Sequence, residues 1–155
     1  MSHNVQFIPV KPNQFEQLFE QICLMTSFYG KGVSIPHYNK FKLYDSLLNA
    51  GKVGFHAEFI YTKSEGVCGY ITYNIAFTSS ACGFNLYVDD IYLNSGVQRK
   101  GIGKLIIEHL QRKAKGIGSS KLMWQVAKTN ERAIDFYIKQ GAEITDDHLS
   151  CELAV

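Results

Sequence analysis

Asn94-Ser95-Gly96-Val97-Gln98-Arg99-Lys100-Gly101-Ile102-Gly103-Lys104 stands between an apolar stretch and a long amphipathic one. Upstream, Gly83 to Leu93 is rich in aromatic and β-branched residues and reads as a strand. Downstream, Ile102, Ile106, Leu110, Ala114 and Ile117 recur at three- and four-residue steps. Lys104, Glu108, Gln111, Arg112 and Lys115 form the polar back of that helix, and Gly116 and Gly118 close it. Leu122 to Val126 is a further strand. A strand–helix–strand unit of this kind implies a parallel crossover.

The rest of the chain surrounds this unit. Val5 to Val10 reads as a first strand closed by Lys11-Pro12. From Asn13 the period changes: Phe15, Leu18, Phe19, Ile22 and Met25 predict a helix, ended by Gly30 and Gly32. Tyr38 to Leu48 predicts a second helix, stopped by Gly51. Phe55 to Tyr61, Val67 to Phe77 and Gly83 to Leu93 are strand-like, with short turns at Lys63–Gly66 and Thr78–Ser80 that argue for an antiparallel meander. Asn130 to Gln140 predicts a helix stopped by Gly141, and His148 to Val155 a last strand. The order is β-α-α-β-β-β-α-β-α-β, an α/β (α+β) class with a mixed, mostly antiparallel sheet. No linker, repeat or low-complexity tract interrupts it, so one domain over 1–155 is expected.

Composition narrows the function. The chain has 155 residues, 46% of them hydrophobic, enough for a sizeable core. A net charge of +2 does not suggest a nucleic-acid binder. No apolar run approaches ~20 residues, so no membrane span is expected, and the N-terminus lacks a signal-peptide design. Cys23, Cys68, Cys82 and Cys151 form no CxxC pair and read mostly as core side chains in a reducing, cytoplasmic compartment. The five histidines show no metal-ligand spacing, so no metal is expected.

Two familiar phosphate signatures fail at the turn. Gly96 and Gly101 have GxxxxG spacing, but Ile102-Gly103 follows instead of Lys-Ser/Thr, and the third glycine of a dinucleotide fingerprint is replaced by Ile106. The physics of the turn survives. Gly101 and Gly103 open a helix whose first amides lack intrahelical partners. Glycine lets a ligand come close, the helix dipole favours an anion, and Arg99, Lys100 and Lys104 add positive charge. A pyrophosphate suits such a site; a plain Gly-rich turn with solvated lysines is the bland alternative.

Gln98-Arg99-Lys100-Gly101-Ile102-Gly103 resembles the Arg/Gln-x-x-Gly-x-Gly/Ala loop of GNAT acetyltransferases. Asn130-Glu131-Arg132-Ala133-Ile134-Asp135-Phe136-Tyr137-Ile138-Lys139-Gln140-Gly141-Ala142 resembles the family's Asn-x-x-Ala-x-x-Phe-Tyr-x-x-x-Gly segment. The resemblance implies the GNAT fold and acetyl-CoA as co-substrate. It implies that Gln98, Arg99, Lys100, Gly101, Ile102, Gly103 and Lys104 hold the pyrophosphate. It implies that the backbone of the strand from Ile91 through Tyr92 to Leu93, whose bulged end faces the cofactor in the family, supplies the oxyanion donor, and that Asn130 contacts the pantetheine or acetyl region. Asn130 is also a favoured helix N-cap. Tyr137, seven residues on, takes the family's general-acid position; its other reading is a core tyrosine. No Cys or Ser stands in a nucleophile motif, so direct transfer to an amine is expected.

Leu86-Tyr87-Val88-Asp89-Asp90-Ile91-Tyr92-Leu93 resembles a segment of the diamine (spermidine/spermine) N-acetyltransferases, and Gly69-Tyr70-Ile71-Thr72-Tyr73 is similar to that subfamily too. The resemblance implies that Asp89 and Asp90 bind a cationic amine and assist its deprotonation. Consecutive strand residues point to opposite faces, so one acid is expected to be buried or to face the site and the other not. The expected partner is a small amine, a polyamine, diamine or amino-acid-like molecule, and the resemblance implies a homodimer. A protein or peptide N-acetyltransferase and a non-catalytic coenzyme A-binding module are the competing readings. Binding of nucleic acid through Arg99, Lys100, Lys104, Arg112 and Lys113 is weak, because those charges lack an aromatic platform.

Overall fold

The computed structural model describes residues 4–28, 39–79, 82–119, 121–146 and 151–154. The chain divides into two compact units, Met1–Trp124 and Gln125–Val155. In the first unit β1 (Val5–Pro9) is followed by a 3-10 turn, Pro12–Gln14, and by α1 (Phe15–Phe28), α2 (Asn39–Leu48) and α3 (Ala50–Val53). Then come β2 (Phe55–Thr62), β3 (Gly66–Thr78), β4 (Gly83–Leu93), a 3-10 turn at Ser95–Val97, α4 (Ile102–Gly116) and β5 (Leu122–Trp124). The sheet order is β1-β2-β3-β4-β5. β1 to β4 pair antiparallel, as the short turns require, and β4 pairs parallel to β5 across the α4 crossover.

Alternation along the strands splits the core between the two sheet faces. Ile60, Ile71, Leu86 and Val88 face α4, where Ile102, Ile106, Leu110 and Ala114 supply the buried stripe that the periodicity predicts. Ala57, Phe59, Tyr70 and Tyr92 point the other way and pack with Leu18 of α1 and Leu47 of α2. Burying each large aliphatic or aromatic side chain is worth about 1.5–3 kcal/mol, so both faces hold their helices firmly. Gly69 marks a tight approach of β3 to β4: a Cβ there would stand 2.1 Å from the Tyr92 carbonyl oxygen.

Some elements depart from expectation. Gly51 does not stop the second helix; the chain breaks at Asn49 and re-enters α3 through Gly51, and Gly54, at φ +70°, ends that turn. β5 stops at Trp124 rather than Val126. Residues 151–154 form no strand, and the remainder of the expected last strand lies outside the described residues, as do Gly30, Gly32 and Tyr38. Cys68 is a core side chain, but Cys23 is only half-buried and Cys82 and Cys151 are exposed. Thiols in turns and tails have no apolar face to join.

The second unit contains α5 (Glu131–Lys139). Asn130 caps it: its Oδ1 accepts from the Ala133 amide at 3.2 Å. At the other end Gly141 takes φ +88° and Ala142 N–H donates to the Tyr137 carbonyl at 3.0 Å. This is a Schellman closure, and it explains the glycine at that position.

Candidate active site

The acidic pair sits at a break in the β3–β4 ladder. Thr72 pairs with Asp90 but Tyr73 pairs with Val88, so Asp89 is an extra, unpaired residue. Such a bulge shifts the side-chain alternation by one. Leu86 and Val88 before it, and Ile91 and Leu93 after it, all pack on the α4 face. Asp89 and Asp90 therefore both leave that face, which corrects the expectation of opposite orientations. The rule of alternation holds only for an unbroken ladder.

The two carboxylates still differ. Asp89 is exposed and Asp90 half-buried. Thr72 grips Asp90 twice: its Oγ1 accepts from the Asp90 amide at 3.2 Å and donates to Asp90 Oδ2 at 3.3 Å. The Tyr70 hydroxyl lies 3.5 Å from the same oxygen and 3.1 Å from the Met25 sulfur. Burial, then the charge of Asp89, raise the Asp90 pKa above the usual carboxylate range, and the bonds from Thr72 and Tyr70 only partly offset them. Burial and the neighbouring Asp90 likewise push the Tyr70 hydroxyl far up, so it remains a donor. Tyr70 and Tyr92 stand with ring centroids 5.9 Å apart, and Phe28 meets Tyr92 edge-on at 6.3 Å. Carboxylates beside aromatic rings are the chemistry of an ammonium site.

Among the described residues, β4 carries no strand ladder on its outer side past Val88, because β5 ends opposite that residue. The Asn94 amide donates to the Cys68 carbonyl at 2.9 Å, toward β3. The Leu93 carbonyl must then point outward, and so must the peptide groups of Ile91 two residues earlier. The backbone of Ile91 and Leu93 thus lies along a ladder-free edge. The Gln98 side chain donates through Nε2 to the Leu93 carbonyl at 2.9 Å. Gln98 is committed to bracing the turn rather than presented outward.

The turn itself is built from left-handed residues. Arg99 takes φ 63° and Gly101 φ 80°. Gly101 is the N-cap of α4, and no side chain caps the helix, so its first amides keep their donors for another acceptor. Nothing lies within 4 Å of where a Gly101 Cβ would stand. Ile102 is buried in the core and offers only its backbone; Arg99, Lys100 and Lys104 are exposed. Lys104 makes a loose 3.9 Å contact with Glu108. The donor set fits a pyrophosphate. Asn130 and Tyr137 belong to the second unit, where the Asn130 cap uses its oxygen and Tyr137 is half-buried with its ring 5.3 Å from Phe136.

Sequence reasoning missed one cluster. Glu58, on the α4 face of β2, is 2% exposed. Its Oε1 accepts from the Tyr73 hydroxyl at 2.9 Å and pairs with Lys113 Nζ at 2.7 Å, and its Oε2 accepts from His109 Nε2 at 2.6 Å. Burial alone would push this carboxyl up, but the bonds from His109, Lys113 and Tyr73 draw it down to about 2. The signals were an acid inside an apolar strand and a His–Lys pair four residues apart on one helix side.

The acetyltransferase (GNAT) family profile matches residues 20–142, a span that runs through both units. The L-ornithine N5-acetyltransferase of Arabidopsis thaliana is 29% identical over 87 residues, which take in 56% of this chain and 38% of that protein. The thialysine N-epsilon-acetyltransferase of Bos taurus is 36% identical over 83 residues, 52% of this chain and 48% of that protein. The matches span less than half the length of these curated relatives. In fold, an aminoglycoside acetyltransferase from an uncultured soil metagenomic sample superposes with a TM-score of 0.79 over 97% of both chains, at 21% identity. Together with the uncapped glycine turn before α4 and the bulge in β4, the family match makes this chain a member of the GNAT acetyltransferase family.

Proposed function

We propose that the chain is an acetyl-CoA-dependent N-acetyltransferase that moves the acetyl group directly to a primary amine of a small cationic substrate. The observation that carries this reading is the bulge at Asp89, which turns two carboxylates to one sheet face among Tyr70, Tyr92 and Phe28. Ornithine and thialysine, in the names of two relatives, support a small amine rather than a peptide. The family match across 20–142 supports one domain over 1–155.

Bound acetyl-CoA supplies an activated acetyl thioester. The amides of Ile102, Gly103 and Lys104 hold its pyrophosphate, helped by the charges of Arg99, Lys100 and Lys104. The outward peptide groups of Ile91 and Leu93 bond the pantetheine arm, and Gln98 keeps that edge and the turn in register. Asn130 contributes its side-chain nitrogen. Asp90 and Asp89 hold the ammonium. An amine with a pKa near ~10 must lose a proton before it attacks, and Asp90, with its raised pKa, accepts that proton directly or through water. Tyr137 donates to the departing sulfur.

The resemblance also carries the expectation of a homodimer, while the cysteine usage, the histidine spacing and the mild net charge carry those of a cytoplasmic chain with no metal and no nucleic-acid partner. No helix among the described residues is long and apolar enough to cross a membrane. The test is a panel of diamines, monoamines and amino acids with acetyl-CoA, reading free thiol. Amine-dependent thiol release with acetylated product supports the proposal. Tight coenzyme A binding without turnover on any amine overturns it and leaves a binding module.

A further inference from the structure

β1 ends at Pro9, which pairs opposite Glu58, and Val10 makes the last contact with β2 through its amide and the Ala57 carbonyl at 2.9 Å. Phe55 and His56 run on beyond β1, with β3 on one side only. The end of this edge, α2, α3 and the last turns of α4 enclose a cleft of about 310 Å3, at the low end of small-molecule sites. Its walls are unlike each other. Val10, Leu47, Ala50 and Phe55 make an apolar side, while His56, Glu58, Tyr73 and Lys113 make a polar one.

The polar wall offers donors rather than acceptors. Both Glu58 oxygens are already occupied by Tyr73, Lys113 and His109, so the carboxylate has little left to offer a ligand. Lys113 lines the cleft, lies over the Tyr73 ring at 5.3 Å, and is part-exposed. An ammonium has three donors, and its bond to Glu58 and its contact with Tyr73 leave one for an incoming group. His56 stacks on Tyr73 at 5.1 Å and adds a ring nitrogen. Burial, then the charge of Lys113, hold the His56 pKa below its ordinary value, so His56 offers a neutral ring N–H, and the wall presents donors to a ligand where Glu58 has spent its acceptors. The cleft is some three helical turns along α4 from the glycine turn at its start, about 16 Å by the 1.5 Å rise per residue.

We propose that this cleft is a second ligand site, which takes a small organic monocarboxylate with its anionic head on Lys113 and His56 and its apolar body against Val10, Leu47, Ala50 and Phe55. The site is separate from the acetyl-transfer reading and stands if that reading fails.

The experiment is a titration of the 15N-labelled full chain with sodium benzoate, with benzylamine and sodium chloride as matched controls. Benzoate is expected to shift the amides of Val10, Phe55, His56 and Ala57 saturably, and the controls are not. Lys113→Met removes one charge-assisted hydrogen bond and is expected to weaken benzoate roughly 10-fold or more. If Lys113→Met does not fold, Ala50→Phe fills the cleft from its apolar side, leaves the Glu58 cluster intact, and is expected to abolish the shifts. Absence of saturable shifts at these amides overturns the proposal. So does an equal response to benzylamine, or benzoate binding that survives the variants.

Discussion

Glu58→Gln probes the most tightly held charge in the described structure. Glu58 is 2% exposed, so its bonds are not screened by solvent. Its carboxyl lies at about 2 in the folded chain against 4.5 as the unperturbed value. A difference of about 2.5 in pKa, at 1.36 kcal/mol each, corresponds to about 3 kcal/mol. The folded value is below the unfolded one, so this stabilisation is present in full above pH ~4.5 and is lost as pH falls toward ~2. Removing one partner of a buried pair costs ~3–5 kcal/mol in general, in line with that figure. The substituted side chain would also turn an amide donor toward His109 or Lys113. The variant is therefore expected to lose about 3 kcal/mol at pH 7, and the gap to the parent chain is expected to close below pH 4.5. Urea unfolding across pH 2–7, followed by fluorescence of Trp124, reads this. Trp124 is the single tryptophan and packs against the α4-side core. A loss under about 1 kcal/mol at pH 7, or one of equal size at pH 2.5, would refute the reasoning.

Three further outcomes follow from the site. Gly103→Val is expected to weaken coenzyme A binding at least ~10-fold by crowding the amides at the start of α4; calorimetry on the folded variant checks it, and it is a cleaner test than Gly101, whose φ of +80° would strain any side chain. Tyr137→Phe is expected to lower turnover ~10²–10⁴-fold with coenzyme A affinity unchanged; near-parental turnover where chemistry limits the rate would make water the donor. Asp90→Asn is expected to cost a diamine ~10–100-fold in kcat/KM and a monoamine of matched length less, with Asp89→Asn milder because Asp89 is exposed; equal small losses on both substrates would leave the pair as solvated strand-end acids.

Much of this was legible in the chain. The three-and-four spacing from Ile102 to Ile117 determined α4 and its buried stripe, because a helix repeats its face at that interval whatever surrounds it. The short turns around Gly66 and Ser79 determined the meander, and Asn130 and Gly141 marked the ends of α5, since capping chemistry is local. The glycine turn announced its uncapped amides for the same reason. What the sequence could not yield depends on contacts between distant segments. The bulge at Asp89 arises from the register of β3 against β4, and it decides that both acids share a face when alternation alone would separate them. The Glu58 cluster joins residues from β2, β3 and α4 that lie 15, 51 and 55 positions apart. Only packing determines that a lone acid in an apolar strand meets a histidine and a lysine from a helix and keeps its charge. Periodicity tells which side of an element is buried; the tertiary structure decides what that side touches, because the energy of a buried charge is set by its neighbours in space.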